Sequence, residues 1–393
     1  MKILVIGGGM AGLTYAIVAA KNGCDVTVAE RNARLGRKIA MTGNGKCNIG
    51  NAQVSAACFN KSAIVNNVLN AISADEYVKF LNSCGIYTYT DADGRMYPLS
   101  ESANGAVDCL RYQLEKYGGK ALCGVEAANC RKSGNGYEVR VGGGKYTFDK
   151  VVLACGSRSQ SLDVNPYAVV SQNMFTPLAP SLVPVKVFNM EGALNGIRVK
   201  ADVTLYDGTM KLGEQSGEVL FKDYGLSGIC IFNLSAVIAR RQVQRKNGNY
   251  IFSVDLVPRM SQWDLGELLY TRIKAGYGRD KLFYGILHNK VAEVVLKRAG
   301  NDVDDVTKLA YTAKNLQFEF YKLLDYSMSQ VTSGGIDDRY VDVKTLTLPD
   351  GMVALGEVLN VDGICGGNNL YFAAASALYT FSEQERMQAY KLL

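Results

Sequence analysis

Three glycines near the start of the chain have the spacing of a phosphate-binding turn. Gly7, Gly9 and Gly12 form the pattern GxGxxG between an apolar run, residues 3–6, and a stretch with helical spacing. Gly7 permits a tight turn, Gly9 lets the backbone approach a pyrophosphate, and Gly12 lets helix and strand pack closely. Glu30 ends the next strand, where a carboxylate can accept hydrogen bonds from ribose hydroxyls. The pattern predicts a dinucleotide site, but by itself it does not separate FAD from NAD.

Residues 31–51, RNARLGRKIAMTGNGKCNIGN, suit an anionic cofactor that carries a flat ring. Arg37 and Lys38 offer cations to the pyrophosphate and ribitol. Glycines let a backbone loop approach a ring without a Cβ clash, and asparagine amides can bind its polar edge. In this segment the glycines are Gly43 and Gly45, and the asparagines are Asn44 and Asn48. An ordinary surface turn is the alternative, and the composition of the segment does not decide between the two.

Residues 355–377, LGEVLNVDGICGGNNLYFAAASA, form a second segment of this type. Gly356 and Glu357 close an apolar strand, and Asp362 could bond a polyol hydroxyl. The run 366–369 opens a helix, whose positive N-terminal end could stabilise negative charge on a reduced ring. An ordinary loop between a strand and a helix is the alternative interpretation.

These segments require elements that bring the two ends of the chain together. Hydrophobic periodicity and turn residues therefore predict one cofactor domain built from both ends, with an insertion at about 187–330. In chain order the predicted elements are a strand–helix–strand unit at 3–29, a helix at 62–84, a tyrosine-rich hairpin at 86–96, a helix at 103–117, a meander at 120–150, a strand at 151–154, a β-rich stretch at 185–257 with a helix at 232–245, helices at 261–315, a strand at 352–355 and a helix from 370.

The composition argues against several classes of site. A single histidine, His288, nearly excludes a His-based triad or a multi-His metal site, so we expect no metal and a structural role for His288. The ten cysteines include no CxxC pair. The net charge of +6 fits an anionic cofactor or simple solubility and is too small to indicate a nucleic-acid surface. Because a strand directly follows Met1-Lys2 and no long apolar run exists, we expect a cytoplasmic protein without a membrane span.

Four segments are distinctive: GGGMAG at 7–12, LGRKIAMTGNGKCNIGN at 35–51, VTSGGID at 331–337 and GEVLNVDGICGGNNL at 356–370. With these, and a looser match at 221–235, the sequence resembles the BaiN/YhiN-like family of NAD(P)/FAD-dependent oxidoreductases, which has a glutathione-reductase-like FAD fold. The resemblance implies an α/β protein with a three-layer, Rossmann-like FAD-binding domain at 1–186 and 331–393. It also implies an inserted β-rich, barrel-like domain at 187–260 and a small helical subdomain at 261–330.

The resemblance also implies which residues meet FAD. It assigns the pyrophosphate to Ala11, the adenosine ribose to Glu30, the adenine to the backbone of Val125, and the flavin to the loop 42–48. The full set of expected cofactor residues is Gly7, Gly9, Met10, Ala11, Gly12, Glu30, Arg31, Arg37, Lys38, Thr42, Gly43, Asn44, Cys47, Asn48, Val125, Ala154, Gly156, Gly356, Glu357, Asp362, Gly367, Asn369 and Leu370.

The sequence departs from the family at three positions. Lys46 stands where the family usually has Arg, Asn368 where it has Tyr, and Asp223 where it has His. These changes leave the expected FAD binding intact and put a substrate role of those positions in question.

The residues do not assign a catalytic acid, which would be Tyr, Cys, Lys or a carboxylate because His is nearly absent. Tyr87, Tyr89 and Tyr97 surround the predicted hairpin and suit a flat apolar substrate, although tyrosines are also common in exposed hairpins. Cys47 and Cys365 invite comparison with a redox disulfide, but a packing role is favoured. Since a second GxGxxG is absent, NAD(P)H would dock transiently over the flavin.

The leading interpretation is an FAD enzyme that uses NAD(P)H to reduce an activated C=C bond. Its substrate would be a small enone, such as a steroid or bile-acid-like compound, a class that the resemblance motivates. An amine oxidase that passes electrons to O₂, an RNA-associated flavoprotein and a flavin-holding protein without turnover are the alternatives. No nucleic-acid partner is expected from the charge, and the residues do not indicate an oligomeric state.

Overall fold

The structure is a computed structural model that describes residues 1–160, 168–300 and 305–391. The chain forms two compact units, one of Met1–Ala179 with Val331–Leu393 and one of Pro180–Gln330. Both ends of the chain therefore meet in the first unit, and the second unit is one continuous insertion.

The described strands and helices occupy the following residues. The strands are β1 (Lys2–Ile6), β2 (Asp25–Glu30), β3 (Gly50–Asn51), β4 (Thr88–Thr90), β5 (Arg95–Pro98), β6 (Lys120–Cys123), β7 (Ala127–Ser133), β8 (Gly136–Val141), β9 (Gly144–Phe148), β10 (Lys150–Leu153), β11 (Ala179–Ser181), β12 (Val185–Val187), β13 (Arg198–Asp207), β14 (Met210–Lys222), β15 (Gly225–Ser227), β16 (Tyr250–Asp255), β17 (Leu316–Leu323), β18 (Val331–Ser333) and β19 (Val353–Ala354). The helices are α1 (Met10–Lys21), α2 (Arg37–Ala40), α3 (Ala63–Ala71), α4 (Ala74–Ser83), α5 (Ala103–Lys116), α6 (Ile229–Val243), α7 (Gln262–Lys274), α8 (Asn289–Ala299), α9 (Val306–Lys314), α10 (Asn368–Tyr379) and α11 (Glu383–Tyr390).

A parallel sheet in the order β19-β10-β1-β2-β6 forms the centre of the first unit. In its middle, Val5 of β1 pairs with Val152 of β10 and Val28 of β2, and all three side chains are buried. Strands covered on both faces are typically apolar in this way. Helix α1 connects β1 to β2, so the predicted strand–helix–strand unit and the Rossmann-like fold are confirmed.

Two small antiparallel sheets complete the first unit. The predicted tyrosine-rich hairpin is present as β4 and β5, and β3 pairs with the other edge of β5. Strands β7, β8 and β9 form a separate meander. The predicted meander at 120–150 began too early, because β6 joins the parallel sheet beside β2. The strand that was predicted separately at 151–154 is β10, which joins the same sheet beside β1.

The second unit contains a closed antiparallel barrel in the order β12-β15-β14-β13-β16-β17. Phe221, Phe252 and Phe318 come from three of its strands and are fully buried. The expected barrel-like part of the fold is confirmed. Its sixth strand, β17, lies inside the range 261–330 that was expected to be helical, and the division of the insertion at residue 260 stays a prediction.

Helices α7 to α9 lie between β16 and β17 in the chain, and His288 caps one of them. The Nδ1 atom of His288 accepts a hydrogen bond from the Lys290 N–H at the start of α8, at 3.3 Å. This is the structural role expected for the single histidine. Among the described residues, no helix is both long and apolar enough to cross a lipid bilayer.

Candidate functional site

The glycine turn after β1 leaves the N-terminal end of α1 open. Gly9 occupies the cap position, and no side chain of the described residues caps this helix. A Cβ at Gly9 would meet nothing within 4 Å, whereas a Cβ at Gly7 would lie 2.4 Å from the Ala154 carbonyl oxygen. Met10 and Ala11, the first residues of the helix, are almost fully buried. The open position beside Gly9 is therefore next to the uncapped end of α1, as an anion site at a helix N-terminus requires.

The Glu30 carboxylate is fixed beside this turn. Its Oε2 accepts a hydrogen bond from the Gly8 N–H at 2.8 Å, and its Oε1 accepts one from the Asn32 N–H at 2.7 Å. Arg37 donates to the Asn32 side-chain oxygen at 2.8 Å, and the Val125 N–H donates to the Glu30 carbonyl at 3.1 Å. The Asn32 side-chain amide also donates to Oε1, at 2.5 Å, so three of the roughly four acceptor sites of the carboxylate are used and about one is left for a further donor such as a ribose hydroxyl. At Val125 only the carbonyl stays available to an adenine.

Lys38 and Glu357, both predicted to contact the cofactor, form an ion pair. The Lys38 Nζ lies 2.5 Å from the Glu357 Oε2 and 2.8 Å from the Ser159 Oγ. The Thr332 N–H donates to the Glu357 Oε1 at 2.9 Å, and a Cβ at Gly156 would lie 3.8 Å from Oε2. Ser159 and Thr332 were not among the residues predicted from the sequence. The motif VTSGGID was a signal for Thr332, but nothing in the sequence marked Ser159.

Removal of Lys38 alone is expected to destabilise the protein more than removal of both partners. Lys38→Met leaves the Glu357 carboxylate, 18% exposed, without its cation and should lower the free energy of unfolding by about 2 kcal/mol. The double variant Lys38→Met/Glu357→Gln should recover about half of that loss. Urea denaturation of the FAD-free proteins measures both. In the matched control, Lys145→Met at the exposed pair with Glu138, the loss should stay below about 0.5 kcal/mol. Equal losses in the single and double variants would contradict the role of the pair.

The two distinctive loops, residues 42–51 and 363–369, contact each other directly. In the amide orientation that satisfies both neighbours, Asn48 donates to the Gly50 carbonyl at 2.9 Å and accepts from the Gly367 N–H at 3.2 Å. Asn51 donates to the Gly366 carbonyl at 2.9 Å. A Cβ at Gly367 would lie 2.1 Å from the Gly50 oxygen, so this contact requires glycine.

The backbone of the first loop is in an uncommon conformation. Asn44 and Cys47 have φ of 51° and 61°, although neither is glycine. Thr42 donates its hydroxyl to the Ile39 carbonyl at 2.7 Å and accepts the Cys47 N–H at its own carbonyl. A Cβ at Gly43 would lie 2.8 Å from the Asn48 nitrogen. Left-handed non-glycine residues cost energy and concentrate at binding and catalytic sites.

The second loop lies between β19 and α10 in the chain, and side chains from within it and from Asn60 hold its backbone. The Asn369 amide accepts the Gly363 N–H and donates to the Gly363 carbonyl, both at 2.8 Å. Asp362 is buried, and its N–H donates to the Asn60 side-chain oxygen at 3.1 Å. Leu370 is half-buried in the first turn of α10. Asn369 therefore shapes the loop in addition to any contact with a ligand.

Gly356, which follows β19, contacts both the first turn of α1 and the later turns of α10. A Cβ at Gly356 would lie 3.1 Å from the Ala11 Cβ, and the Gly356 N–H donates to the Ser376 hydroxyl of α10 at 3.0 Å. In the described chain no side chain caps α10, and none of the described residues bonds the buried Oδ1 of Asn368, its first residue. Two uncapped helix ends and a buried acceptor fit a dinucleotide that carries a polar ring.

Of the predicted cofactor residues, Arg31 lies at the periphery. Its guanidinium lies 3.7 Å from the Glu126 carboxylate, near the start of the meander. Among the described residues, no group of three or more His, Cys, Asp or Glu side chains is arranged to hold a metal ion.

Cys47 is expected to resist alkylation in the folded protein. Burial raises the pKa of its thiol to about 11, although a hydrogen bond with Thr42 acts in the opposite direction. At pH 8 about one thiol in a thousand would be the reactive thiolate. Iodoacetamide followed by peptide mass spectrometry should label the exposed Cys123 and spare Cys47, with urea-unfolded protein as the control. Labelling of native Cys47 as fast as Cys123 would contradict the favoured packing role. No disulfide joins Cys47 to Cys365 in the described structure.

Comparisons with known proteins show the family of this chain. The HI0933-like protein Rossmann domain family matches residues 1–382. The 3-dehydro-bile acid delta(4,6)-reductase of Clostridium scindens is 30% identical, over 95% of this chain and 97% of its own. The ribosomal RNA dihydrouridine synthase of Haemophilus influenzae is 26% identical, over 95% and 96%. The 3-ketosteroid-delta4-(5alpha)-dehydrogenase of Rhodococcus jostii RHA1, a solved structure, is 16% identical over 100% and 97%, with a TM-score of 0.44.

The family match extends along nearly the whole chain. The structure has the features that such a family requires, namely a Rossmann-type sheet, an open helix end after a GxGxxG turn and a carboxylate at the end of the second strand. The chain belongs to the HI0933-like Rossmann family and is an FAD-dependent oxidoreductase.

Proposed function

We propose that the enzyme reduces a C=C bond conjugated to a carbonyl group, with NAD(P)H as the electron donor. The observation that carries this proposal is the 30% identity, over nearly the full length of both chains, to a reductase named for a 3-dehydro-bile acid. The proposed substrate is therefore a flat, steroid-like enone. In the net reaction the C=C bond gains a hydride from NAD(P)H and a proton, which gives the saturated ketone and NAD(P)⁺.

We infer that FAD extends from the glycine turn to the two contacting loops. The open end of α1 would hold the pyrophosphate, Glu30 the ribose, and Lys38 would supply a nearby cation. Asp362 would bond the ribityl chain, and the loop 42–48 would line the flavin together with the start of α10. The cofactor supplies two-electron transfer, and the protein's part is to bind and orient it.

An exposed aromatic surface near the loop 42–48 supports the substrate class. We call it the hairpin face and define it as Tyr87, Tyr89, Tyr97 and Leu99. Tyr87 is 52% exposed and Leu99 is 66% exposed, and the two residues lie next to each other, directly beyond the paired strands of the hairpin. Tyr89 and Tyr97 stack with ring centroids 5.7 Å apart. Exposed apolar patches of this kind commonly mark binding surfaces.

Anaerobic spectroscopy tests the proposal. NADH or NADPH should bleach the absorbance of the FAD-loaded protein, and a steroid 3-keto-4-ene should restore it. Mass spectrometry should then identify the saturated ketone. A reduced protein that no enone reoxidises would overturn the substrate class, and peroxide release on mixing with amines in air would favour the amine oxidase instead.

A second candidate substrate is uridine in RNA. It is favoured by the 26% identity to a ribosomal RNA dihydrouridine synthase over 95% of this chain. The uracil C=C bond is also conjugated to a carbonyl, so the chemistry would be the same. Dihydrouridine formation in added ribosomal RNA, with binding that weakens steeply as salt rises, would support this candidate. The small net charge of the protein, +6, counts against an RNA substrate.

A further inference from the structure

Lys46, in the loop 42–48, belongs to a cluster built around one carboxylate. Its Nζ lies 2.6 Å from the Glu101 Oε2. The Tyr89 hydroxyl donates to the other carboxylate oxygen, Oε1. Glu101 therefore holds a lysine and a tyrosine at once, and it connects the loop 42–48 to the hairpin face.

The backbone at Glu101 is in the left-handed region, with φ of 45°. A residue with a side chain rarely adopts this conformation, and native proteins retain it mainly where the surroundings or the function require it. Here the conformation accompanies a carboxylate bonded from two sides. The uncommon backbone conformation therefore indicates that the Glu101 carboxylate is held in this position for a structural or functional reason.

The cluster keeps its three groups in defined charge states near neutral pH. The hydrogen bond and charge of Glu101 raise the pKa of Lys46, and the Lys46 and Tyr89 bonds lower the pKa of Glu101. The bond to Glu101 raises the pKa of Tyr89 to about 12. Lys46 is thus a cation and Tyr89 a neutral phenol whose proton is already donated, which leaves Lys46 as the member of the cluster able to donate a hydrogen bond to another group.

The surroundings of Lys46 combine one cation with apolar area. The Lys46 side chain is 56% exposed, so its remaining N–H groups are available. Tyr89 is 36% exposed, and Met41, which precedes the loop, is 49% exposed. A flat apolar molecule with a single carbonyl oxygen would match this arrangement, with its rings on the hairpin face and its oxygen at the ammonium.

We propose that Lys46 binds the carbonyl oxygen of the substrate enone and that Glu101 and Tyr89 are positioning residues. This inference rests on the proposed function. When a hydride adds to the β-carbon, the π electrons of the C=C bond shift and place negative charge on the carbonyl oxygen. The Lys46 ammonium then donates a hydrogen bond to that oxygen, and the α-carbon takes a proton from water. A donor placed where charge develops stabilises the transition state.

Binding of two steroid probes to the oxidised, FAD-loaded protein tests the assignment without turnover. One probe is a 3-keto-4-ene steroid, and the other has the same skeleton without the 3-oxygen. Lys46→Gln should weaken binding of the ketone about tenfold and leave the deoxygenated probe unchanged. Lys46→Arg should keep most of the ketone affinity. Glu101→Gln should weaken ketone binding by a smaller factor, about threefold, because the lysine loses its anchor.

The matched control is Lys145→Gln, at another exposed lysine with a glutamate at 2.6 Å, and it should change neither affinity. Equal weakening of both probes by Lys46→Gln, or no weakening at all, overturns the Lys46 assignment while the proposed function stands. Wild-type protein that binds neither probe and reduces no enone overturns the proposed function, and the assignment falls with it.

Discussion

Gly9→Ala is expected to preserve the fold and to weaken FAD binding by a factor of at least about 100. Gly9 has φ of −82°, which alanine adopts without strain, and a Cβ there meets nothing within 4 Å. The free energy of unfolding of the FAD-free protein should therefore change by less than about 0.5 kcal/mol. The added methyl group would occupy the open space at the end of α1, where the pyrophosphate must approach the backbone. Flavin fluorescence titration gives the affinity, and urea denaturation gives the stability.

Two other glycines give the matched controls for this prediction. Gly266→Ala in α7 also adds a methyl group in open space, and it should leave FAD affinity unchanged. Gly12→Ala places a Cβ 1.9 Å from the Gly7 carbonyl oxygen, so it should destabilise the fold by about 3 kcal/mol. Wild-type affinity in Gly9→Ala would show that the pyrophosphate does not lie at this helix end.

The contrast between these glycines explains which parts of the molecule could be predicted from the sequence. The turn after β1 could be predicted because its strand, its glycines and its helix follow one another directly in the sequence. Each glycine is also required there for a steric reason of its own. The hairpin β4–β5 was predicted for the same reason, from a turn and its flanking residues. Such features need no knowledge of distant partners.

The pairing of distant strands could not be predicted in this way. Strand β6 is only four residues long, KALC, and its side chains are exposed, so it has no alternation of buried and exposed residues that would indicate its pairing with β2. Strand β17 follows three helices and completes a barrel whose first strand, β12, begins more than a hundred residues earlier. Alternating apolar residues predict a strand, but they do not specify its neighbours.

The candidate site shows the same limit at the level of single residues. Lys38 and Glu357 were both expected to contact the cofactor, but the ion pair between them was not foreseen, since it joins segments from opposite ends of the chain. Ser159 and Glu101 were missed because nothing local distinguishes a serine or a glutamate that bonds a lysine far away in sequence. The family resemblance implied that both loops contact the same cofactor. The structure adds that the two loops also contact each other directly, through Gly367.

That contact makes Gly367→Ala the substitution with the largest expected effect in the second loop. Gly366 and Gly367 both have positive φ, 116° and 91°, so alanine is strained at either position. At Gly367 the Cβ would also lie 2.1 Å from the Gly50 carbonyl oxygen, whereas at Gly366 the nearest atom is 3.6 Å away. Gly367→Ala should therefore cost about 2–4 kcal/mol more stability than Gly366→Ala, because the two loops must separate.

The separation should also be visible without a stability measurement. Limited proteolysis of the Gly367→Ala protein should cut within residues 42–51 sooner than in the Gly366→Ala protein, since the Asn48 side chain loses the hydrogen bond that it accepts from the Gly367 N–H. FAD affinity should fall further in Gly367→Ala than in Gly366→Ala, because both loops are proposed to line the flavin. Equal proteolysis, stability and FAD affinity in the two variants would mean that the contact between the loops does not organise the site. A difference confined to stability would mean that the contact supports the fold and that the flavin is bound elsewhere.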